Sequence, residues 1–222
     1  MGKTLVIIAL VIILIIAIVA AALLIPLNSG KSAGVVFRQT DQEAFEQKSG
    51  INTPEAQKAT LLDLITGNYV GGDMVSVNAF FTSAEFTAYL NNYFAPTPGI
   101  ENVQIKFGNN RKIVLSCKAT EEAIKLFGDA PEYDSLKSYL WLAKGKTLRV
   151  EETVTSVGGT ITTKLDKVYV GQIDITGFVP VGALPIGTAL NNLFRVENSA
   201  DFSISEAGLS INGAMLDMIA KK

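Results

Sequence analysis

Residues 182–188 have a spacing that could bind a phosphate group. They read G-x-x-x-x-G-T within GFVPVGALPIGTALNNLF, residues 177–194. A phosphate-binding loop needs a lysine after its second glycine and then a hydroxyl residue, which reach the phosphates and Mg²⁺. Thr188 and Ala189 occupy those two positions, and the loop before them is mostly apolar. The stretch therefore predicts an apolar corner, which either plugs a core or borders an apolar ligand site.

Residues that could carry catalysis or bind a metal are few. The sequence contains no histidine and one cysteine, which excludes Ser-His-Asp and Cys-His sites, histidine metal sites and an intramolecular disulfide. Glu151 and Glu152 are neighbours in a predicted strand, so they point to opposite faces and one of them should face inward. The acidic residues between Asp129 and Asp134 lack the spacing of a calcium loop. We expect no catalytic residues, no metal site, no cofactor and no enzymatic activity.

The N-terminal segment predicts a membrane anchor. Residues 5–27, LVIIALVIILIIAIVAAALLIPL, contain no charged or polar side chain, and as a helix they would span about 34 Å, enough for a hydrocarbon core of about 30 Å. A cleaved signal peptide is the alternative, but its apolar core is normally about 7 to 15 residues long. An N-terminal span with a very short head usually leaves the rest of the chain outside. We therefore expect a transmembrane anchor at 1–27, a juxtamembrane connector at 28–53 and an extracytoplasmic domain at 54–222.

The charge balance limits the partners of that domain. The chain of 222 residues has a net charge of −2, and removing Lys3 with the anchor leaves −3 on residues 28–222. The absence of a basic excess argues against nucleic acid as a partner. The remaining length is enough for one domain with a sizeable core. The expected partners are the membrane, through residues 5–27, a lipid ligand and other envelope proteins.

Periodicity predicts an α+β domain. A strand at 75–81 leads into a helix whose Thr82 and Glu85 have the spacing of a capping box, and whose apolar residues follow one helical stripe. Alternating strands then form hairpins at 103–119 and 146–176, the second turning at Gly158 and Gly159. A slip of the inward phase between Leu165 and Val168 predicts a bulge. Because hairpins join most strands, the sheet should be largely antiparallel.

The order of these elements resembles that of the small bacterial membrane-anchored proteins of the YpmS type, which are similar to the tubular lipid-binding (TULIP) superfamily. The resemblance lies in the N-terminal span, in FTSAEFTAYLNNYF, in LDKVYVGQIDITGFVPVGALPIGTALNNLF and in DFSISEAGLSING. It covers residues 75–214, and a helical insert at 121–145 departs from it. The resemblance implies a bent antiparallel sheet wrapped on a helix, with an apolar groove for an acyl chain.

The leading hypothesis is a membrane-anchored, non-catalytic envelope protein whose external domain binds lipid or another apolar ligand. The alternative is a ligand-free structural module for envelope assembly, or a pilin-like subunit. The predicted groove is lined by inward-facing apolar residues of the first helix, the first hairpin and the corner. They are Phe86, Leu90, Val103, Ile105, Phe107, Leu115, Phe178, Leu184, Ile186, Leu190 and Phe194.

Overall fold

The structure, a computed structural model, describes residues 30–52, 59–66, 69–122, 144–179, 186–217 and 220–221. The predicted anchor, most of the predicted insert and residues 180–185 of the corner lie outside these ranges. Among the described residues, no helix is both long enough and apolar enough to cross a membrane.

The described elements are short helices and longer strands. The helices are α1 (Gln39–Ser49), α2 (Leu61–Thr66), α3 (Ser83–Asn92) and α4 (Ile186–Leu193). The strands are β1 (Tyr69–Val70), β2 (Met74–Phe81), β3 (Ile100–Phe107), β4 (Lys112–Ala119), β5 (Thr147–Val157), β6 (Thr160–Val170), β7 (Ile173–Asp174), β8 (Phe194–Arg195), β9 (Phe202–Ile204), β10 (Leu209–Leu216) and β11 (Ala220–Lys221).

The strands form antiparallel sheets, which confirms the predicted α+β class. Strands β3-β4-β5-β6-β7 make a five-stranded sheet, β2, β10, β8 and β9 make a second sheet centred on β10, and β1 pairs with β11. Every pairing between these strands is antiparallel. The described strands are thus divided between separate sheets, whereas the resemblance implied a single bent one.

Helix α3 begins where the sequence predicts. The Thr82 side chain accepts from the backbone of Glu85 at 3.2 Å, and the Glu85 carboxylate accepts from the backbone of Thr82 at 2.9 Å. Lys48 of α1 also reaches the Glu85 carboxylate at 2.7 Å. This ties the start of α3 to the end of α1.

Polar side chains of two helices form hydrogen bonds with backbone groups at the edges of the five-stranded sheet. Thr87 of α3 bonds both the N–H and the C=O of Ile105, at 3.1 and 3.2 Å. Asn191 of α4 does the same for Ile161 of β6, at 2.9 and 2.6 Å. Strand edges otherwise expose unpaired donors and acceptors, so these residues explain why the sheet ends at β3 and along the first part of β6.

The hairpin of β5 and β6 has the predicted turn and bulge. Gly158 and Gly159 have positive φ angles of 55° and 79°, which suit a tight two-residue turn. The register shifts where Glu151 pairs with Lys167 and Glu152 pairs with Leu165. The bulge keeps Glu152 and Leu165 on one face of the sheet.

The segment predicted as a connector packs on the domain along its described part. Phe45 of α1 is 0% exposed and its ring lies 4.3 Å from that of Tyr89 in α3. Before α1, the backbone of Ala33 donates to the hydroxyl of Ser116 at 2.8 Å, and that of Val35 donates to Gln104 at 3.2 Å. Residues 30–38, which we name the strap, therefore cross the five-stranded sheet on the face opposite to α3.

Candidate functional site

The predicted groove residues lie mainly in a packed core, the main cluster. Its rings are Phe45, Phe81, Phe86, Tyr89, Tyr93, Phe94, Phe107, Phe194 and Phe202, joined by buried aliphatic residues. Of the predicted residues, Phe86, Leu90, Ile105, Phe107, Leu190 and Phe194 are buried there, and Val103, Leu115 and Ile186 are partly buried against it. The side chain of Phe178 and all of Leu184 lie outside what the structure describes.

Aromatic contacts fill the interior at the predicted position. The ring of Phe86 lies 5.7 Å from that of Tyr89, 5.8 Å from that of Phe107 and 5.9 Å from that of Phe194. These separations are typical of packed aromatic pairs. The protein's own side chains, each at most 8% exposed, therefore occupy the space between α3, α4 and the sheet.

The other half of the same sheet face is less completely covered. A second cluster contains the buried residues Ala119, Val168, Val170 and Ile175, together with the partly buried residues Ile100, Leu148, Val150, Leu165, Ile173 and Val179. None of its described members is aromatic, and most of them keep some exposed surface. Val179 belongs to the apolar corner, so the second cluster lies beside the feature that the sequence singled out.

Glu152 stands between the two clusters. Its register partners are Ile113, in the main cluster, and Leu165, in the second cluster. It is 2% exposed, and its Oε2 atom has no hydrogen-bond partner among the described residues. This confirms that one glutamate of the 151–152 pair faces inward, while Glu151 pairs with Arg149 at 2.7 Å on the other face.

The surroundings of Glu152 favour its neutral form. Burial raises the pKa of this carboxyl from 4.5 to about 7, although a hydrogen bond with Thr163 lowers it, and the nearby charge of Asp166 raises it further. A protonated carboxyl can donate as well as accept a hydrogen bond. Glu152 is therefore a polar group beside apolar surface that could bond an ester, amide or hydroxyl group.

The residues directly before the corner are hydrogen-bonded to β6. The backbone of Ile175 donates to the carbonyl of Val168 at 2.9 Å, and the backbone of Val168 donates to the hydroxyl of Thr176 at 2.9 Å. After the corner, α4 lies close to β6. A Cβ atom on Gly187 would lie only 3.2 Å from the Thr163 hydroxyl oxygen, so glycine permits this approach. The described residues before and after the gap at 180–185 thus contact β6 at two points, one on each side of Leu165.

The other inward residue with possible chemistry is Cys117. It is half-buried, and burial raises the pKa of its thiol to about 11. A thiol with that pKa is almost entirely protonated at neutral pH, and the thiolate is the reactive form. Cys117 therefore behaves as a small apolar residue, on the same face of β4 as Ile113 and Leu115.

Sequence patterns showed part of this site and missed the rest. The corner, the bulge and the inward glutamate were all visible, but the residues of the second cluster were not chosen. A signal was present, since Leu148, Val150, Leu165 and Val168 alternate on the inward phase of the second hairpin. The predicted groove instead included aromatic residues such as Phe86 and Phe107, which pack with each other.

Comparison of the chain with protein-family models, with curated proteins and with solved structures finds no match. Its function is therefore inferred from its own residues and geometry.

Proposed function

We propose that this chain is a membrane-anchored, non-catalytic envelope protein whose extracytoplasmic domain holds the acyl chain of a lipid or a similar apolar ligand. The anchor is residues 5–27. The ligand lies against the second cluster, with Glu152 at its polar end. This keeps the lipid-binding expectation given by the TULIP resemblance and moves its site away from the aromatic rings.

The position of Glu152 carries the proposal. A carboxyl group that is 2% exposed, with an oxygen lacking a partner among the described residues, costs stability. Unsatisfied buried polar groups are uncommon and often mark function. Binding sites for small molecules combine apolar walls with a few polar groups and perturbed pKa values. The partly buried aliphatic residues of the second cluster supply such walls beside Glu152.

Burial of methylene groups would supply the affinity. Each buried methylene contributes about 0.8 kcal/mol, so ten of them contribute about 8 kcal/mol before the cost of ordering the chain. Aliphatic surfaces suit a flexible acyl chain, since they impose no particular ring geometry. A hydrogen bond to the neutral Glu152 carboxyl would fix which end of the ligand enters.

Native mass spectrometry of the full chain, extracted in a mild detergent, tests the proposal. We expect an added mass in the range of a lipid or fatty acid. The variant Val150→Phe enlarges a side chain in the second cluster and should reduce the bound fraction several-fold. The control Val157→Phe makes the same change on the same strand, where Val157 is 69% exposed, and should leave the fraction unchanged.

A second pair of variants tests the role of the carboxyl. Glu152→Gln keeps the shape of the side chain but cannot ionise, so it should retain ligand at pH 8, where wild type loses part of it. Glu151→Gln, the neighbour on the opposite face, should behave like wild type. Absence of any ligand from the wild-type protein, at every pH, would contradict the proposal.

The alternative is a ligand-free scaffolding module, and the main cluster is the observation that favours it. Phe45, Phe81 and Tyr89 pack with ring separations of 4.7 and 4.3 Å around Phe45, as in a domain that needs no ligand to fold. A protein that is ligand-free in native mass spectra and co-purifies with a stoichiometric envelope protein would support this alternative.

A further inference from the structure

A groove with four basic residues lies on the outer face of the five-stranded sheet, opposite to the main cluster. Its volume is about 510 Å³, within the range of ligand sites. The strap forms one wall, β3, β4 and β5 form the floor, and the turn at 108–112 closes one end. We name it the basic groove, and its charged lining residues are Lys31, Lys106, Lys112 and Arg149.

The sheet register places these cations together. Lys106 pairs with Val114, and Arg149 pairs with Ser116, so both side chains stand on the outer face with Lys112. Ala33 of the strap donates to the Ser116 hydroxyl at 2.8 Å, which holds Lys31 beside this floor. Four cations converge although the domain has a net charge of −3 once Lys3 is excluded.

Nearby carboxylates offset only part of this charge. Glu151 pairs with Arg149 at 2.7 Å, and Asp166 lies 3.7 Å from Lys112. Lys31 and Lys106 have no ion pair within the described residues. Arg149 also stacks over the ring of Tyr169 at 5.8 Å, and its Nε–H has no acceptor in the described part of the chain. Among the described residues, the ammonium groups of Lys31 and Lys106 and one N–H of Arg149 therefore have no partner.

Lys31 of the groove lies close in sequence to the proposed anchor. Lys31 follows Leu27 by four residues, which reach at most about 14 Å when fully extended. Basic residues this close to a bilayer attract anionic lipids, at about 1 kcal/mol for each Lys or Arg, or about fivefold in affinity. We infer that the basic groove binds the phosphate group of an anionic phospholipid headgroup in the anchoring membrane. This rests on the proposed anchoring and is independent of the acyl site, which lies on the opposite face of the sheet.

Energy transfer in nanodiscs tests the inference on the full chain. Cys117→Ser removes the native thiol, and Val157→Cys carries a fluorophore at the tip of the β5–β6 hairpin. The acceptor is a headgroup dye, and the discs contain phosphatidylcholine alone or with phosphatidylglycerol. We expect higher transfer in the phosphatidylglycerol discs, decreasing with added salt. Lys106→Glu with Lys112→Glu should lower the transfer to the level of the neutral discs.

Controls separate a groove from a general charge effect. Arg195→Glu reverses an exposed charge on β8 of the other sheet and should leave the transfer unchanged. The milder pair Lys106→Gln and Lys112→Gln should weaken the lipid dependence with an unchanged melting temperature in neutral discs. Equal transfer in both kinds of disc, or an equal loss in Arg195→Glu, would overturn the inference.

Two further readouts distinguish the source of the phosphate and the role of the anchor. Inorganic phosphate is added to neutral discs, and the melting temperature is measured. Phosphate could raise the melting temperature of wild type but not of the Lys106→Glu, Lys112→Glu variant, while phosphatidylglycerol discs give no added energy transfer. That result would assign the groove to a free phosphate and overturn the lipid assignment. Failure of the chain to insert into neutral discs would overturn the anchor and this inference together. Insertion without higher energy transfer in phosphatidylglycerol discs would overturn the inference alone.

Discussion

One face of the five-stranded sheet carries two apolar regions that differ in chemistry. The main cluster is built on aromatic rings from α1, α3, the five-stranded sheet and the sheet centred on β10, and its residues are almost completely buried. The described members of the second cluster are aliphatic, and six of them remain partly exposed. Glu152 marks the boundary between them. Under the proposed function, the aromatic half stabilises the fold and the aliphatic half binds the ligand.

Rings and aliphatic chains suit these two tasks for physical reasons. Aromatic side chains bury a large area with few rotatable bonds and pack in defined geometries, so they stabilise one arrangement of helices and sheet. Small aliphatic side chains form a smoother surface that a flexible chain can follow. The following variants test whether the two halves differ in this way, from the largest expected effect to the smallest.

The largest effect is expected in the main cluster. Phe86→Ala removes a ring that is 1% exposed and should lower the free energy of unfolding by about 3 to 5 kcal/mol, because a cavity remains. Leu148→Ala in the second cluster should cost only about 1 kcal/mol, since its side chain is partly exposed. Urea unfolding of the full chain in detergent, followed by circular dichroism, measures both. Equal costs would remove the distinction between the clusters.

The second prediction concerns the boundary residue and pH. Because burial raises the pKa of Glu152 from 4.5 to about 7, the folded state is most stable with respect to this carboxyl below about pH 4.5, where the group is protonated in both the folded and the unfolded chain. That stability is lost progressively as pH rises from about 4.5 through about 7. The loss amounts to at most about 3 kcal/mol, at 1.36 kcal/mol per pKa unit. Glu152→Gln should abolish this dependence in urea unfolding at pH 5 and pH 8.

Glu151→Gln is the matched control for that measurement. Glu151 lies on the opposite face and pairs with Arg149, so its variant should keep the wild-type decrease between pH 5 and pH 8. A Glu152→Gln protein that loses as much stability as wild type over this range would show that the carboxyl is not held in a neutral form.

The smallest effect concerns a hydroxyl group in the aromatic half. Tyr89 is 0% exposed and its hydroxyl has no partner among the described residues, whereas the Tyr93 hydroxyl donates to Asp217 at 3.1 Å. Tyr89→Phe should leave the free energy of unfolding unchanged or raise it by up to about 1 kcal/mol. Tyr93→Phe should lower it by a similar amount. A clear loss in Tyr89→Phe would mean that ring packing alone does not explain the main cluster.

Much of the fold could be predicted from local sequence. The capping box of Thr82 and Glu85, the stripe from Phe86 to Phe94 and the turn at Gly158 and Gly159 each depend on residues close in the chain. The bulge was visible as a slip in the alternation of β6. These features are decided by backbone sterics and nearby hydrogen bonds, so a single sequence contains them.

The grouping of strands and the position of the site depend on distant contacts. Nothing local indicates that β10 pairs with β2, which precedes it by more than a hundred residues. The strap likewise lies on the sheet through bonds from Ala33 to Ser116 and from Val35 to Gln104. The predicted groove residues lie in a packed core for the same reason: alternation shows that a side chain faces inward, but not which distant residues cover it.

The most direct test of the proposed function is to map where an apolar ligand contacts the protein. The full chain in detergent is exposed to a fatty acid that carries a photoactivatable diazirine, and labelled peptides are identified by mass spectrometry. We predict labels on the strands and corner that hold Leu148, Val150, Leu165 and Val179, reduced several-fold by Val150→Phe and unaffected by Val157→Phe. Labels confined to residues 5–27, or located on Phe86 and Phe107, would contradict the proposed site.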